Sequence, residues 1–309
     1  MNEKTPPNCE RVYRNWVFDS TRWRGFEPRN GDVIVAPPYK TGTTWLQMMC
    51  ALLIHGSANL PAPLGELSPW LDFQGEPVDD VLANYRNQTF RRIVKTHTPL
   101  DGLPYYKEVD YIFCGRAPLD VFMSMQNHLA NLNIERNIKL LKAQGIDPGP
   151  MPLLPDDVNE RFALWMSVGG FEWEKDGAPL WSLFRHTETF WNHRSLKNIH
   201  FFHYADLKND LPGEMRRLAG VLGVEVDEAS WGSLVDAATF KSMKARADQV
   251  APDVKVGVWR DNQKFFNRGE NEQWRGVLNE ESVKLYREHT RRNYDPAMIA
   301  WLEQGAAAV

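Results

Sequence analysis

Short apolar runs recur along the chain, and turns or helical stretches separate them. Val33–Val35 is the first, the partly apolar Phe90–Val94 the second, and Val109–Cys114, rich in β-branched and aromatic residues, the third. Ile199–Tyr204 is the fourth. Such runs, interleaved with helical segments, predict a parallel sheet with crossover helices. Apolar spacing predicts helices over Thr43–His55, Pro118–Ala130, Val158–Ser167, Ser182–Arg194, Pro212–Leu222 and Glu280–Arg292. Pro118 suits a first helical turn, where its missing N–H costs nothing. Ser57–Gln88 reads as largely loop, because Pro61, Pro63, Gly65, Pro69, Gly75 and Pro77 punctuate it. Gly145–Pro155, with its four prolines and two glycines, reads as an exposed loop, and Arg91-Arg92 as a solvated strand end. The expected architecture is one α/β domain over residues 1–309, a central parallel sheet flanked by helices, with flexible tails at 1–10 and 305–309.

Composition narrows the setting. With 43% hydrophobic and 25% charged residues in 309, the chain is ordinary for a soluble globular protein. A net charge of −4 gives no global attraction to nucleic acid or to an anionic membrane, so any anion site must be built locally. Cys9, Cys50 and Cys114 show neither paired nor metal-ligand spacing, which favours a reducing compartment. No signal-like core occurs near Met1, and no apolar run approaches the ~18 residues of a membrane span. A cytoplasmic protein is expected.

The most informative chemistry lies between the first run and the first helix, in Ala36-Pro37-Pro38-Tyr39-Lys40-Thr41-Gly42-Thr43-Thr44-Trp45. A strand, a tight loop and a helix N-terminus collect backbone N–H groups and the positive end of a helix dipole, which suits phosphate or sulfate. The loop is P-loop-like without matching the triphosphatase pattern. Tyr39 stands where that pattern has its second glycine, Ile34 where it has the first, and Pro37 and Pro38 carry no N–H to offer.

Pro38–Trp45 resembles the 5′-phosphosulfate loop of the cytosolic sulfotransferase family. Three further segments resemble that family in the same order: Val94-Lys95-Thr96-His97-Thr98-Pro99, then Phe113-Cys114-Gly115-Arg116 with Ser124 beyond it, then Phe265-Phe266-Asn267-Arg268-Gly269 followed by Trp274. Tyr204-Ala205-Asp206-Leu207 and Thr239-Phe240-Lys241-Ser242-Met243-Lys244 are similar to its adenine-side motifs. The resemblance implies transfer of a sulfuryl group from 3′-phosphoadenosine 5′-phosphosulfate (PAPS) to a hydroxylated small molecule. The product would be 3′-phosphoadenosine 5′-phosphate (PAP), and no metal is needed.

By that resemblance His97 is the general base, Lys40 stabilises the leaving oxygen, and Lys95 supports electrostatically. Thr41, Gly42, Thr43 and Thr44 cradle the 5′-phosphate with amides and hydroxyls. Arg116, Ser124, Arg268 and Gly269 hold the 3′-phosphate, and Trp45, Phe240 and Tyr204 surround the purine. These types suit the task. In-line transfer rests on positioning and on charge stabilisation at the leaving oxygens, a guanidinium forks onto phosphate, and imidazole titrates near working pH. The chain departs from the family pattern at Asn267, where an arginine is usual, and at Ala238, where a threonine is usual. The family's C-terminal dimerisation pattern is unmet around Asn279-Glu280. Two other readings stand beside the enzyme, a donor-binding sensor without turnover and a nucleotide kinase. The acceptor pocket is expected from the N-terminal aromatics, Ser57–Gln88 and Gly145–Pro155.

Overall fold

The computed structural model describes residues 6–149, 153–252 and 254–308. Among these, four strands form one parallel sheet: β1 (Val33–Val35), β2 (Ile93–Lys95), β3 (Asp110–Gly115) and β4 (Ile199–His203), in the order β2-β1-β3-β4. Successive side chains of a strand face opposite sides, and here both sides are covered. Ile34, Val94, Tyr111 and Phe113 join one core with Phe184, Phe190 and Trp301. Val33, Val35, Ile93, Ile112 and Cys114 join another with Leu46, Met49 and Leu53 of the Thr43–His55 helix. Burial on both faces explains why these strands are continuous apolar runs and not alternating ones.

The helices Thr43–His55 and Val158–Ser167 fall on their predicted bounds, and Pro118–Asn131, Leu211–Leu222 and Glu280–Asn293 lie within a residue of theirs. The helix expected over Ser182–Arg194 is shorter, Leu183–Trp191: the Ser182 hydroxyl caps its start by accepting from the Arg185 N–H at 2.9 Å, and it ends three residues early. Tyr204, expected to end the fourth strand, instead opens the Tyr204–Asn209 helix.

Ser57–Gln88 is not the loop expected. It holds a helical turn at Leu64–Leu67 and a helix at Val78–Asn87, where Val81, Leu82 and Tyr85 are buried. Pro77 precedes the first turn of that helix, Asp79 and Asp80 favour its positive end, and Arg86 lies in its last turn. Described residues of the two expected tails make hydrogen bonds to the body of the domain. The Glu10 N–H donates to the Asp101 carbonyl at 2.8 Å. Gly305–Ala308 forms a 3-10 turn in which the Ala306 N–H reaches Asp206 Oδ2 at 3.0 Å. Met1–Thr5, Pro150–Pro152 and Val309 lie outside the described residues.

Arg91-Arg92 is a correction of larger consequence. Arg92 is 2% exposed and grips Asp32 with two nitrogens, Nε at 2.8 Å from Oδ1 and Nη2 on Oδ2. Arg91 donates to the carbonyls of Gly31 and Leu222 and, at 2.9 Å, to Asp110 Oδ2. The two arginines tie the N-terminal end of the sheet together. Removing one partner strands a buried charge, so Asp32→Ala is expected to cost about 3–5 kcal/mol in urea unfolding. A loss under ~1 kcal/mol would show that Arg92 finds water or another acceptor.

Candidate active site

Four of the motifs picked out above lie at or past the C-terminal end of a strand, whereas Thr239–Lys244 and Phe265–Gly269 follow helices. β1 leads into the Lys40 loop, β2 ends at Lys95 just before His97, β3 is followed by Arg116, and β4 by Tyr204. The chain visits β2 on one side of β1 and then β3 on the other. The loops after β1 and β3 therefore flank the point where strand order reverses, the place where open parallel sheets leave a crevice.

The β1 loop is tightly specified. Lys40 has a φ of 60° and Gly42 a φ of 122°, so the chain turns sharply into the Thr43–His55 helix. No side chain caps that helix and no acidic residue sits in its first turn, which leaves its leading N–H groups and positive dipole for a ligand. The Thr43 hydroxyl is buried without a partner. The Thr41 hydroxyl, expected in the cradle, is instead turned inward and donates to the Pro38 carbonyl at 2.8 Å. It closes the loop on itself, and its own backbone carbonyl receives Cys114 Sγ at 3.0 Å.

Three cations surround this loop, each over an aromatic face. Lys40 Nζ lies 4.7 Å from the centre of the Phe265 ring, Lys95 Nζ 4.4 Å from that of Trp70, and the Arg116 guanidinium carbon 4.1 Å from that of Tyr204. Arg116 donates from Nη1 to the Lys40 carbonyl at 3.1 Å and from Nη2 to the Glu270 carbonyl at 3.3 Å, while its buried Nε has no partner. Loss of water, then the nearby Arg116 and Lys95 charges, push the Lys40 ammonium down to about 7.

His97 is 8% exposed, and its Nδ1 lies 2.8 Å from the Pro37 carbonyl. A carbonyl oxygen only accepts, so Nδ1 carries the proton and Nε2 keeps a lone pair. Trp70 meets the imidazole edge-on at 4.9 Å. Burial and the Lys95 charge hold His97 well below the usual imidazole value, so the ring is neutral in ordinary buffer.

These groups open onto one cavity of about 1630 Å³, its solvent-open part included. Every predicted site residue except Thr41 lines it: Lys40, Gly42, Thr43, Thr44, Trp45, Lys95, His97, Arg116, Ser124, Tyr204, Phe240, Arg268 and Gly269. Trp45 is fixed by its indole N–H, 2.9 Å from the Ala238 carbonyl, and meets Tyr204 edge-on. Gly269 has a φ of 67°, and a Cβ there would come within 2.8 Å of the Phe240 ring, so only glycine lets the loop pass.

Sequence reasoning missed several lining residues. His128 touches Lys40, with Nδ1 3.2 Å from Nζ, and lies one helical turn beyond Ser124, a spacing that could have marked it. Trp70 and Phe73 lie in the stretch read as loop and also line the cavity, whereas no described residue of Gly145–Pro155 does. Of the N-terminal aromatics, Trp16 lines it, while Phe18, Trp23 and Phe26 are buried in the core.

A sulfotransferase domain model matches residues 30–298. The chain belongs to the sulfotransferase family. It is 35% identical to a glycolipid sulfotransferase of Mycobacterium bovis, over 99% of this chain and 98% of that protein. Its fold is shared with a mouse sulfotransferase complexed with PAP, at TM-score 0.64 and 19% identity, over 89% of this chain and 90% of the other. Retinol dehydratase in complex with androsterone and PAP is similar to the same degree, at TM-score 0.63 and 20% identity over 90% and 87%. The chain is thus a transferase enzyme with the α/β fold its motifs implied.

The Lys40 ammonium gives a pH signature. A bound phosphate raises the affinity of Lys40 for its proton above the value of about 7 in the free protein. If Lys40 contacts the bound phosphate, binding of PAP is expected to be strongest where Lys40 is already charged. It weakens above pH 7, by at most about tenfold per pH unit, because the complex must then take up a proton. His97 and His128 stay neutral throughout this window, both being held well below the usual imidazole value. Calorimetric titration of PAP between pH 7 and 9 is expected to show this fall, and Lys40→Met to flatten it; a fall of equal slope in the variant would assign it to another group.

Proposed function

We propose that the protein transfers a sulfuryl group from PAPS to a hydroxyl of an acceptor with an apolar body, with His97 as general base. One observation carries the reading. A single cavity joins unpartnered anion-seeking atoms, Thr43 Oγ1 and Arg116 Nε beside the uncapped helix, to a histidine with its lone pair on Nε2. Buried polar atoms without partners are costly, and phosphate oxygens would supply what these lack.

On this reading the Thr43–His55 helix N-terminus, Thr43 and Thr44 hold the 5′-phosphate. Arg116, Ser124, Arg268 and Gly269 hold the 3′-phosphate, and Trp45, Tyr204 and Phe240 enclose the purine. His97 Nε2 takes the acceptor hydroxyl's proton as its oxygen bonds to sulfur. The bond from sulfur to the bridging oxygen breaks, and Lys40 stabilises the charge left on the phosphate of PAP. That charge grows only in the transition state, so a cation aimed at it accelerates selectively. Lys95, over Trp70 beside His97, adds positive potential and helps to keep the base neutral.

The remaining cavity wall is largely apolar, with Trp16, Phe73, Leu132, Leu141 and Trp181 among its residues. Such a wall suits the apolar part of an amphiphile, and the glycolipid sulfotransferase relative supports a lipid that carries a sugar hydroxyl. Among the described residues no helix is long and apolar enough to cross a membrane.

His97→Ala is expected to lower kcat about 10²- to 10⁴-fold while PAP affinity stays close to wild type. Parallel loss of both would remove His97 from the role of base. The acid limb of kcat/KM in the wild type should fall below pH 6.5, the ordinary value from which the buried His97 is lowered. With labelled PAPS and a panel of alkyl glycosides, phenols and sterols, the alkyl glycosides are expected to be sulfated most efficiently. Tight PAPS binding without transfer to any acceptor would favour a sensor instead.

A further inference from the structure

His128, on the Pro118–Asn131 helix, takes no part in the chemistry assigned above, yet its Nδ1 is 3.2 Å from Lys40 Nζ inside the reaction cavity. An ammonium group only donates, so Nδ1 accepts in this contact. We propose that His128 is a positioning residue that parks Lys40, holding the ammonium in the donor-free enzyme and yielding it when the donor's phosphosulfate arrives. The proposal rests on the reading of Lys40 as the cation for the leaving oxygen.

The parking place is built. Trp259 meets the His128 ring edge-on at 4.7 Å, Phe265 lies 4.7 Å below Lys40 Nζ, and the Trp259 and Phe265 rings touch at 5.0 Å. Hydrogen bonds tie the ring-bearing segment to the end of the His128 helix. The Asn133 N–H donates to Val258 O at 2.9 Å, the Arg260 N–H to Asn131 O at 2.9 Å, and Asn131 Nδ2 to Asp261 O at 2.8 Å. The Trp259 indole is pinned to the Pro252 carbonyl at 2.6 Å. His128 and the two rings thus form a braced cage around the Lys40 ammonium.

The choice of a histidine also fits the task. A carboxylate here would neutralise Lys40 and repel the donor, whereas a neutral imidazole holds the ammonium by one hydrogen bond and leaves its charge in place. An anion then outcompetes it, because charge–charge attraction in this partly desolvated site exceeds charge–dipole attraction. The segment that carries Trp259 and Phe265 continues into Asn267, Arg268 and Gly269, which line the donor side. The resting place of Lys40 and the donor loop therefore belong to one stretch of chain.

The test is a double-mutant cycle on PAP affinity, measured by calorimetry at pH 6.5. If binding must first break the Lys40–His128 contact, His128→Leu is expected to tighten PAP binding roughly 2- to 10-fold, a change in the direction opposite to that of a damaged site. His128→Asn, which keeps an acceptor, should stay near wild type, and in a Lys40→Met background His128→Leu should change nothing. Weaker or unchanged binding in His128→Leu overturns the proposal, as does an equal shift in the Lys40→Met background. If His128→Leu does not fold, His128→Ala supplies the same comparison. The reading of Lys40 itself fails separately, if Lys40→Met alone keeps wild-type kcat.

Discussion

Cations held on aromatic faces are the interaction on which this site depends. Lys40 lies over Phe265, Lys95 over Trp70 and Arg116 over Tyr204. A ring face attracts a cation through its quadrupole, by about 0.5–2 kcal/mol depending on desolvation, and carries no net charge. It positions the cation without neutralising it. The positive potential is therefore kept for the donor's phosphates, in a protein whose net charge of −4 offers none overall. The cost of crowding appears in Lys40, whose ammonium is brought down to about 7 by burial and by its two positive neighbours.

The sheet supplies the geometry that makes such crowding possible. Parallel pairing of β1 with β2 and β3 sets the chain ends of all three side by side, so Lys40, Lys95 and Arg116 converge without long-range loops. Arg116 then holds the Lys40 carbonyl and Cys114 the Thr41 carbonyl, so the β3 end braces the strained turn at Lys40 and Gly42. Backbone strain of about 1–3 kcal/mol persists where the surroundings over-determine it. Two cores, one on each face of the sheet, provide that over-determination.

What was legible in the chain follows from these forces. Strands buried on both faces read as plain apolar runs, and β1 fell on its predicted bounds. The loop motifs were legible because glycine is required at Gly42 and Gly269 by backbone shape and not by taste. The Val78–Asn87 helix was hidden by the prolines before it, although Pro77 in fact marks its start. Arg92 looked solvated because its partner, Asp32, lies 60 residues away and only the β1–β2 pairing brings them together. Thr41 illustrates the converse. Its residue type fitted the cradle, but a local hydrogen bond to Pro38 claimed the hydroxyl. Trp70, Trp259 and Phe265 could not be assigned from spacing, since their role is to meet side chains distant in sequence.

The placement of His128 gives the cavity an economy that the motifs alone do not express. In the proposed reaction Lys40 must be charged to act on the leaving oxygen, yet a desolvated charge without a partner is expensive. A carboxylate partner would solve the second problem by spoiling the first. The pairing with a neutral imidazole and a ring face solves both, because each stabilises an ammonium while adding no negative charge. On the other side of the proposed reaction, burial and the Lys95 charge hold His97 neutral, while the Pro37 carbonyl fixes its proton on Nδ1. Two histidines in one cavity thus have different tasks, decided by the atom each one faces. In the proposed mechanism the carbonyl facing His97 leaves Nε2 free to act as base, and the ammonium facing His128 makes it an acceptor for a cation in waiting.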